Sequence, residues 1–151
     1  AAGAGFSLAL ACDLIVAAQS AKFVMAYVKV GLTPDGGGSW FLSQALPRHL
    51  ATEILIEGKP VNATRLHEAG VVNRMAPDGG ALEAALAWGD ELAKLSPHAV
   101  SNIKSLLREA PSNTLPQHFE AEKRSFVDSL HHRDGLEGIT AFLEKRAPQY
   151  K

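Results

Sequence analysis

Apolar positions along the chain follow two regimes. Over residues 1–48 they come in short unbroken runs separated by glycines, with few charges between them. Over residues 49–151 they recur at helical spacing among most of the charges. An unbroken short run suits a buried strand, whereas recurrence every three to four residues suits a helix with one buried face. Phe6 to Ala11 is predicted helical, because Leu8, Ala9, Leu10 and Ala11 are strong helix formers. Leu14-Ile15-Val16 and Lys22 to Met25 are predicted strands. Gly31 to Gly38, GLTPDGGG, is a loop by composition. Ser39 to Leu46 is predicted helical and ends at Pro47, whose ring cannot continue a helix.

Downstream, His49 to Glu57 is predicted helical and stops at Gly58. Asn62 suits the N-cap of a helix over Ala63 to Ala69, with Gly70 as its stop. Val71 to Met75 is predicted as a short strand and Gly80 to Leu95 as an alanine-rich helix. Ser96-Pro97 is a helix start, with serine at the cap and proline at the first position; that helix is predicted to reach Glu109. Asn113 or Thr114 opens another, with Leu115, Phe119, Phe126 and Leu130 on its apolar side. Arg133 to Lys145 closes the series. The two strands of the first region are too few for a sheet, so their partners are expected outside the chain. The division expected from these regimes is 1–48 and 49–151.

Composition narrows the class. The chain has 151 residues, 46% hydrophobic and 21% charged, which is a globular balance. Its formal net charge of −1 offers no general field for nucleic acid. No apolar run approaches the ~18 residues of a membrane-spanning helix. The single cysteine, Cys12, excludes an internal disulfide and is expected to be a small buried hydrophobe. It points weakly to a reducing, cytoplasmic compartment. The chain opens on Ala1-Ala2-Gly3-Ala4-Gly5, inside a glycine-rich run, so a fragment of a longer protein is expected.

Few residues suggest chemistry by themselves. A Gly3-Ala4-Gly5 turn ahead of a helix can aim backbone N–H groups at a phosphate or a developing oxyanion. The same turn equally serves a close helix–strand contact. Asp35, among the glycines of its loop, can meet a substrate over unhindered backbone or can cap a turn. Ser7 lies in a weak nucleophile-elbow pattern, Gly5-Phe6-Ser7-Leu8-Ala9, that lacks the second glycine. The histidines have no metal-ligand spacing, and no metal site is expected. Arg65, Lys145 and Arg146 are expected to be solvated charges.

Taken together, four blocks resemble the enoyl-CoA hydratase/isomerase, or crotonase, family. They are AAGAGFSLALACDLIVAAQSAKF, YVKVGLTPDGGGSWFL, GKPVNATRLHEAGVVNRM and GLEGITAFLEKRAPQY, in that order. The resemblance covers essentially the whole chain and corresponds to the C-terminal half or more of a family member. It implies an α/β fold: the last part of a crotonase-like spiral of ββα turns, then a helical trimerisation region. It implies acyl-CoA as substrate, with no permanently bound cofactor, and a homotrimer or dimer of trimers.

The resemblance also implies site residues. The Ala4 backbone N–H, between Gly3 and Gly5, would be one donor of an oxyanion hole for a thioester enolate; the other would come from the N-terminal part. The two glutamates of family hydratases match Ser7 and Tyr27, neither of which can serve as a carboxylate acid/base. Asp35 matches the acid/base aspartate of dienoyl-CoA isomerases and 1,2-epoxyphenylacetyl-CoA isomerases. Phe23, Met25, Tyr27 and Trp40 are candidates for the acyl pocket wall, or for plain core. Phe142 and Lys145 match positions that reach a neighbouring subunit's CoA. An isomerase is therefore expected. A hydratase, an aryl-CoA dehalogenase using Asp35 as nucleophile and a non-catalytic CoA-binding or assembly module are the alternatives.

Overall fold

The computed structural model describes residues 1–150 and divides the chain into two compact units, Ala1–Ala87 and Trp88–Lys151. The division thus lies beyond the expected 48/49 boundary. The physical reason is shared burial: Ala51, Ile54, Val61, Leu66, Val71 and Val72 belong to the same apolar cluster as Phe6, Phe23 and Met25.

The first unit begins with helix α1 (Ala4–Leu10) and strands β1 (Val16–Ala18) and β2 (Lys22–Phe23). A 3-10 helix, Ala26–Val30, follows where the sequence suggested no element. Then come α2 (Gly38–Ala45), α3 (Arg48–Glu57), β3 (Val61–Asn62), α4 (Ala63–Glu68) and β4 (Arg74–Ala76). Both early strands find partners inside the chain, contrary to expectation. β1 pairs in parallel with β4, Ala17 opposite Met75, and β2 pairs antiparallel with β3, Phe23 opposite Val61. A further parallel bridge joins Ala2 to Val24. Side chains complete the stitching: the Ile15 N–H donates to Asn73 Oδ1 at 2.7 Å, and the Ser20 N–H to Asp78 Oδ1 at 2.9 Å.

The predicted caps hold. Asn62 Oδ1 accepts the Arg65 N–H at 2.7 Å, which satisfies a first-turn donor of α4. Gly58 ends α3 in the left-handed conformation. Leu42 and Leu66 are fully buried, whereas Cys12 is exposed and not the buried hydrophobe expected. Arg65 is not merely solvated, since both its terminal nitrogens bond the Glu53 carboxylate.

Helix α5 (Ala81–Leu92) carries the boundary between the units. The second unit contains α6 (Pro97–Glu109), a 3-10 turn at Ala110–Ser112, α7 (Leu115–His131) and α8 (Arg133–Glu144). Ser96 caps α6 by accepting the Ala99 N–H, and its hydroxyl donates to the buried Asp134 at 2.8 Å. The Thr114 N–H donates to Gln117 Oε1 at the start of α7. His98 and His132 stack face to face with ring centres 3.9 Å apart. Phe119 and Phe126, on the apolar side of α7, are exposed in the chain taken by itself. Arg146 is not a solvated charge. It grips Glu137 with two nitrogens and Glu144 with a third, which turns the chain back along α8. Among the described residues no helix is long and apolar enough to cross a membrane.

Candidate active site

One corner of the first unit gathers the glycine-rich turn, the 3-10 helix and the Asp35 loop. Gly3 sits at φ 50°, ψ −124°, a conformation open in practice to glycine alone. That geometry lets the Gly3 N–H donate to Val24 O at 2.9 Å while α1 starts at the next residue. The following donors are used: Gly5 N–H bonds Ala2 O, and Phe6 and Ser7 N–H both bond Gly3 O. The N–H of Ala4 is left without a partner among the described residues. Ala4 is exposed, so this donor is open to a ligand. Because the donor is backbone, an alanine between the two glycines serves as well as any residue.

Asp35 reaches the same corner from its loop. Its main-chain carbonyl accepts both the Ser7 hydroxyl and the Gly38 N–H, each at 3.1 Å. Its carboxylate accepts the Tyr27 hydroxyl on Oδ1 at 2.5 Å. Oδ2 has no partner among the described residues, and Asp35 is exposed. The loop approaches α1 so closely that glycine is required at its end. A Cβ on Gly38 would lie 2.7 Å from Ser7 Oγ and 2.9 Å from Met25 Cε. The Tyr27 phenol is held above its ordinary titration range, first by its hydrogen bond to Asp35, then by burial and by the like charge of Asp35.

The expected pocket residues fare differently. Met25 is fully buried and Phe23 nearly so, packed against Phe6 with ring centres 5.0 Å apart. Both are core beneath the corner and present no wall in the chain as described. Trp40 stands 58% exposed with its ring edge-on to Phe41. Tyr27 is half-buried, and its hydroxyl lies 3.2 Å from where a Gly3 side chain would begin. It therefore touches the glycine-rich turn and Asp35 together. Gly5 meets nothing where a Cβ would stand, so its side of the turn is open. Phe142 and Lys145 belong to the second unit; Phe142 is 82% exposed, and Lys145 ends α8 at φ 55°, the sole non-glycine with positive φ among the described residues.

Sequence reasoning missed two links. Ser7 was weighed as a nucleophile or a packed residue, and it is the anchor of the Asp35 backbone. Tyr27 was weighed as wall, and it is the partner of the Asp35 carboxylate. Neither link has a signal along the chain, since both depend on a loop folding back onto α1. A free N–H donor and an open carboxylate oxygen in one corner can together hold an enolate oxygen and move a proton.

A family profile described as enoyl-CoA hydratase/isomerase matches residues 1–151. The chain is 37% identical over 150 residues to the 1,2-epoxyphenylacetyl-CoA isomerase of Escherichia coli K12, covering 99% of this chain and 57% of that protein. It is 34% identical to the 2,3-dehydroadipyl-CoA hydratase of the same organism, covering 99% of this chain and 58% of that one. A crystal structure of an enoyl-CoA hydratase from Polaromonas sp. JS666 superposes with TM-score 0.97 at 56% identity, over 100% of this chain and 59% of that one. The chain thus spans somewhat under three-fifths of the length of these relatives.

Proposed function

The chain belongs to the enoyl-CoA hydratase/isomerase family, and from that premise we propose that the whole protein isomerises an enoyl-CoA or ring-epoxide acyl-CoA with Asp35 as acid/base. In this reading Asp35 Oδ2 removes a C–H proton from the acyl skeleton. The electron pair of that bond moves into a thioester enolate, whose oxygen accepts the Ala4 N–H. Asp35, exposed and so able to exchange its acid proton with water, then returns a proton to another carbon, so the product keeps the elemental composition of the substrate while taking up solvent hydrogen. One carboxylate is enough for such a shift.

The observation that carries the proposal is the state of the Asp35 carboxylate: one oxygen tied to Tyr27, the other without a protein partner. Direct hydration calls for a group that activates water as well as a proton source. The positions that resemblance assigns to the two glutamates are Ser7 and Tyr27, and here they hold Asp35 instead. Gly3, Gly5 and Trp40 are proposed to border the acyl thioester. Phe142 and Lys145 are proposed to meet the nucleotide end of coenzyme A across a homotrimer or dimer of trimers in the cytoplasm. A hydratase is the second reading, favoured by the name of the E. coli relative that acts as a 2,3-dehydroadipyl-CoA hydratase.

The test is a mass-spectrometric substrate screen of the full-length protein, run in deuterated water and separately in heavy-oxygen water. Deuterium uptake without a change in composition is the expected result. Incorporation of heavy oxygen into product would replace the isomerase reading with hydration or hydrolysis.

A further inference from the structure

We propose that Tyr27 is a positioning residue for Asp35, holding one carboxylate oxygen so that the other carries the proton. The proposal rests on Asp35 being the acid/base. Three observations support it. The Asp35 backbone is already fixed by Ser7 and Gly38, so the freedom left to the residue is rotation of its side chain. The Tyr27 hydroxyl removes that freedom with a 2.5 Å bond, the length of a charge-assisted O–H···O⁻ contact. Tyr27 is itself fixed: it lies in the 3-10 helix Ala26–Val30, its carbonyl accepts the Leu32 N–H at 3.0 Å, and its hydroxyl abuts Gly3.

The consequence is a fixed relation between the oxyanion donor and the proton carrier. Gly3 sets where the Ala4 N–H points, and Tyr27 rests on Gly3 while gripping Asp35. A carboxylate that must deliver a proton to a carbon different from the one it took it from benefits from having one reactive oxygen in one place. A wall residue would need only an apolar ring at this point; the hydroxyl is what the positioning role uses.

The full-length protein carries the test. Tyrosine labelled with carbon-13 at the hydroxyl-bearing carbon is followed by NMR titration, with the Tyr27 signal assigned from Tyr27→Phe. Tyr27 is expected to titrate above the ordinary tyrosine range and to fall back into it in Asp35→Ala. Tyr27→Phe is expected to lower kcat about 10²-fold, with KM for the acyl-CoA little changed, and to add nothing further to Asp35→Ala. A phenol that titrates alike in both backgrounds would overturn the pairing. A rise in KM at unchanged kcat would overturn the positioning role and return Tyr27 to the pocket wall. Turnover surviving in Asp35→Ala would overturn Asp35 as acid/base, and the role of Tyr27 with it, while the titration still reported the pair.

Discussion

In residues 1–87 thirteen buried apolar side chains form one cluster; in residues 88–150 the buried apolar residues are Ala121 and Ala141 alone. The first unit has short elements, some only two residues long; most drop a buried side chain into that cluster, and the 3-10 helix and β4 pack the partly buried Tyr27 and Met75 against it. The second has long helices whose large apolar side chains, such as Phe126 at 69% exposure, face outward in the chain by itself. Its order is written in polar contacts at helix ends: Ser96 with Asp134, Thr114 with Gln117, His132 Nδ1 accepting the Asp134 N–H, Arg146 with Glu137. Burial supplies energy without direction, whereas a satisfied polar contact fixes geometry at modest net gain. The candidate corner combines both: polar contacts tie the Asp35 loop to Ser7, and the glycine that closes the loop lies against buried Met25.

The sharpest way to break this contrast is to cut into the cluster. Leu66→Ala removes a fully buried side chain and is expected to cost about 2–5 kcal/mol in urea denaturation. A loss below about 1 kcal/mol would mean that burial does not govern the first unit.

Gly38→Ala probes where burial and polar order meet. The added carbon would press on Ser7 Oγ at 2.7 Å and Met25 Cε at 2.9 Å. Met25 is fully buried and cannot swing aside freely, so a destabilisation of about 1–3 kcal/mol is expected. Turnover should fall with it, because Ser7 would lose the Asp35 carbonyl. Wild-type kinetics in this variant would show that the loop does not depend on that contact.

The smallest expected effect belongs to the second unit. Arg146, and then the Gln149 N–H, hold the Glu137 carboxyl down at about 2. The folded value lies below the unfolded one, near ~4.3. The contribution is therefore full above that unfolded value and is lost as pH falls toward the folded one. Glu137→Gln should lower Tm modestly at neutral pH, and its gap to wild type should close as pH drops through that window. A gap independent of pH would mean that the clasp acts by packing and not by charge.

Legibility along the chain followed the same division. Helix ends were readable because their signals are local: Asn62, Gly58 and Ser96-Pro97 lie within a few residues of what they cap. The run Leu14-Ile15-Val16 marked a strand, yet β1 is Val16–Ala18, because its register is set by Arg74 to Ala76 far along the chain. The apolar spacing of α7 announced a face, but not whether anything in this chain would bury it. At the site, the Gly3-Ala4-Gly5 turn and Asp35 stood out by composition. The roles of Ser7 and Tyr27 did not, since each is decided by a partner 28 or 8 residues away.

The sequence by itself determined the α-helices and their caps, the absence of a disulfide within these 151 residues, and a resemblance specific enough to single out Ala4 and Asp35. These follow from short-range preferences and from residue identity, which need no knowledge of distant partners. Only the tertiary structure decided which unit each helix joins and that Met25 is floor and not wall. It alone set Ser7 and Tyr27 on the two ends of Asp35, because hydrogen bonds across a folded-back loop depend on distances that residue order does not contain.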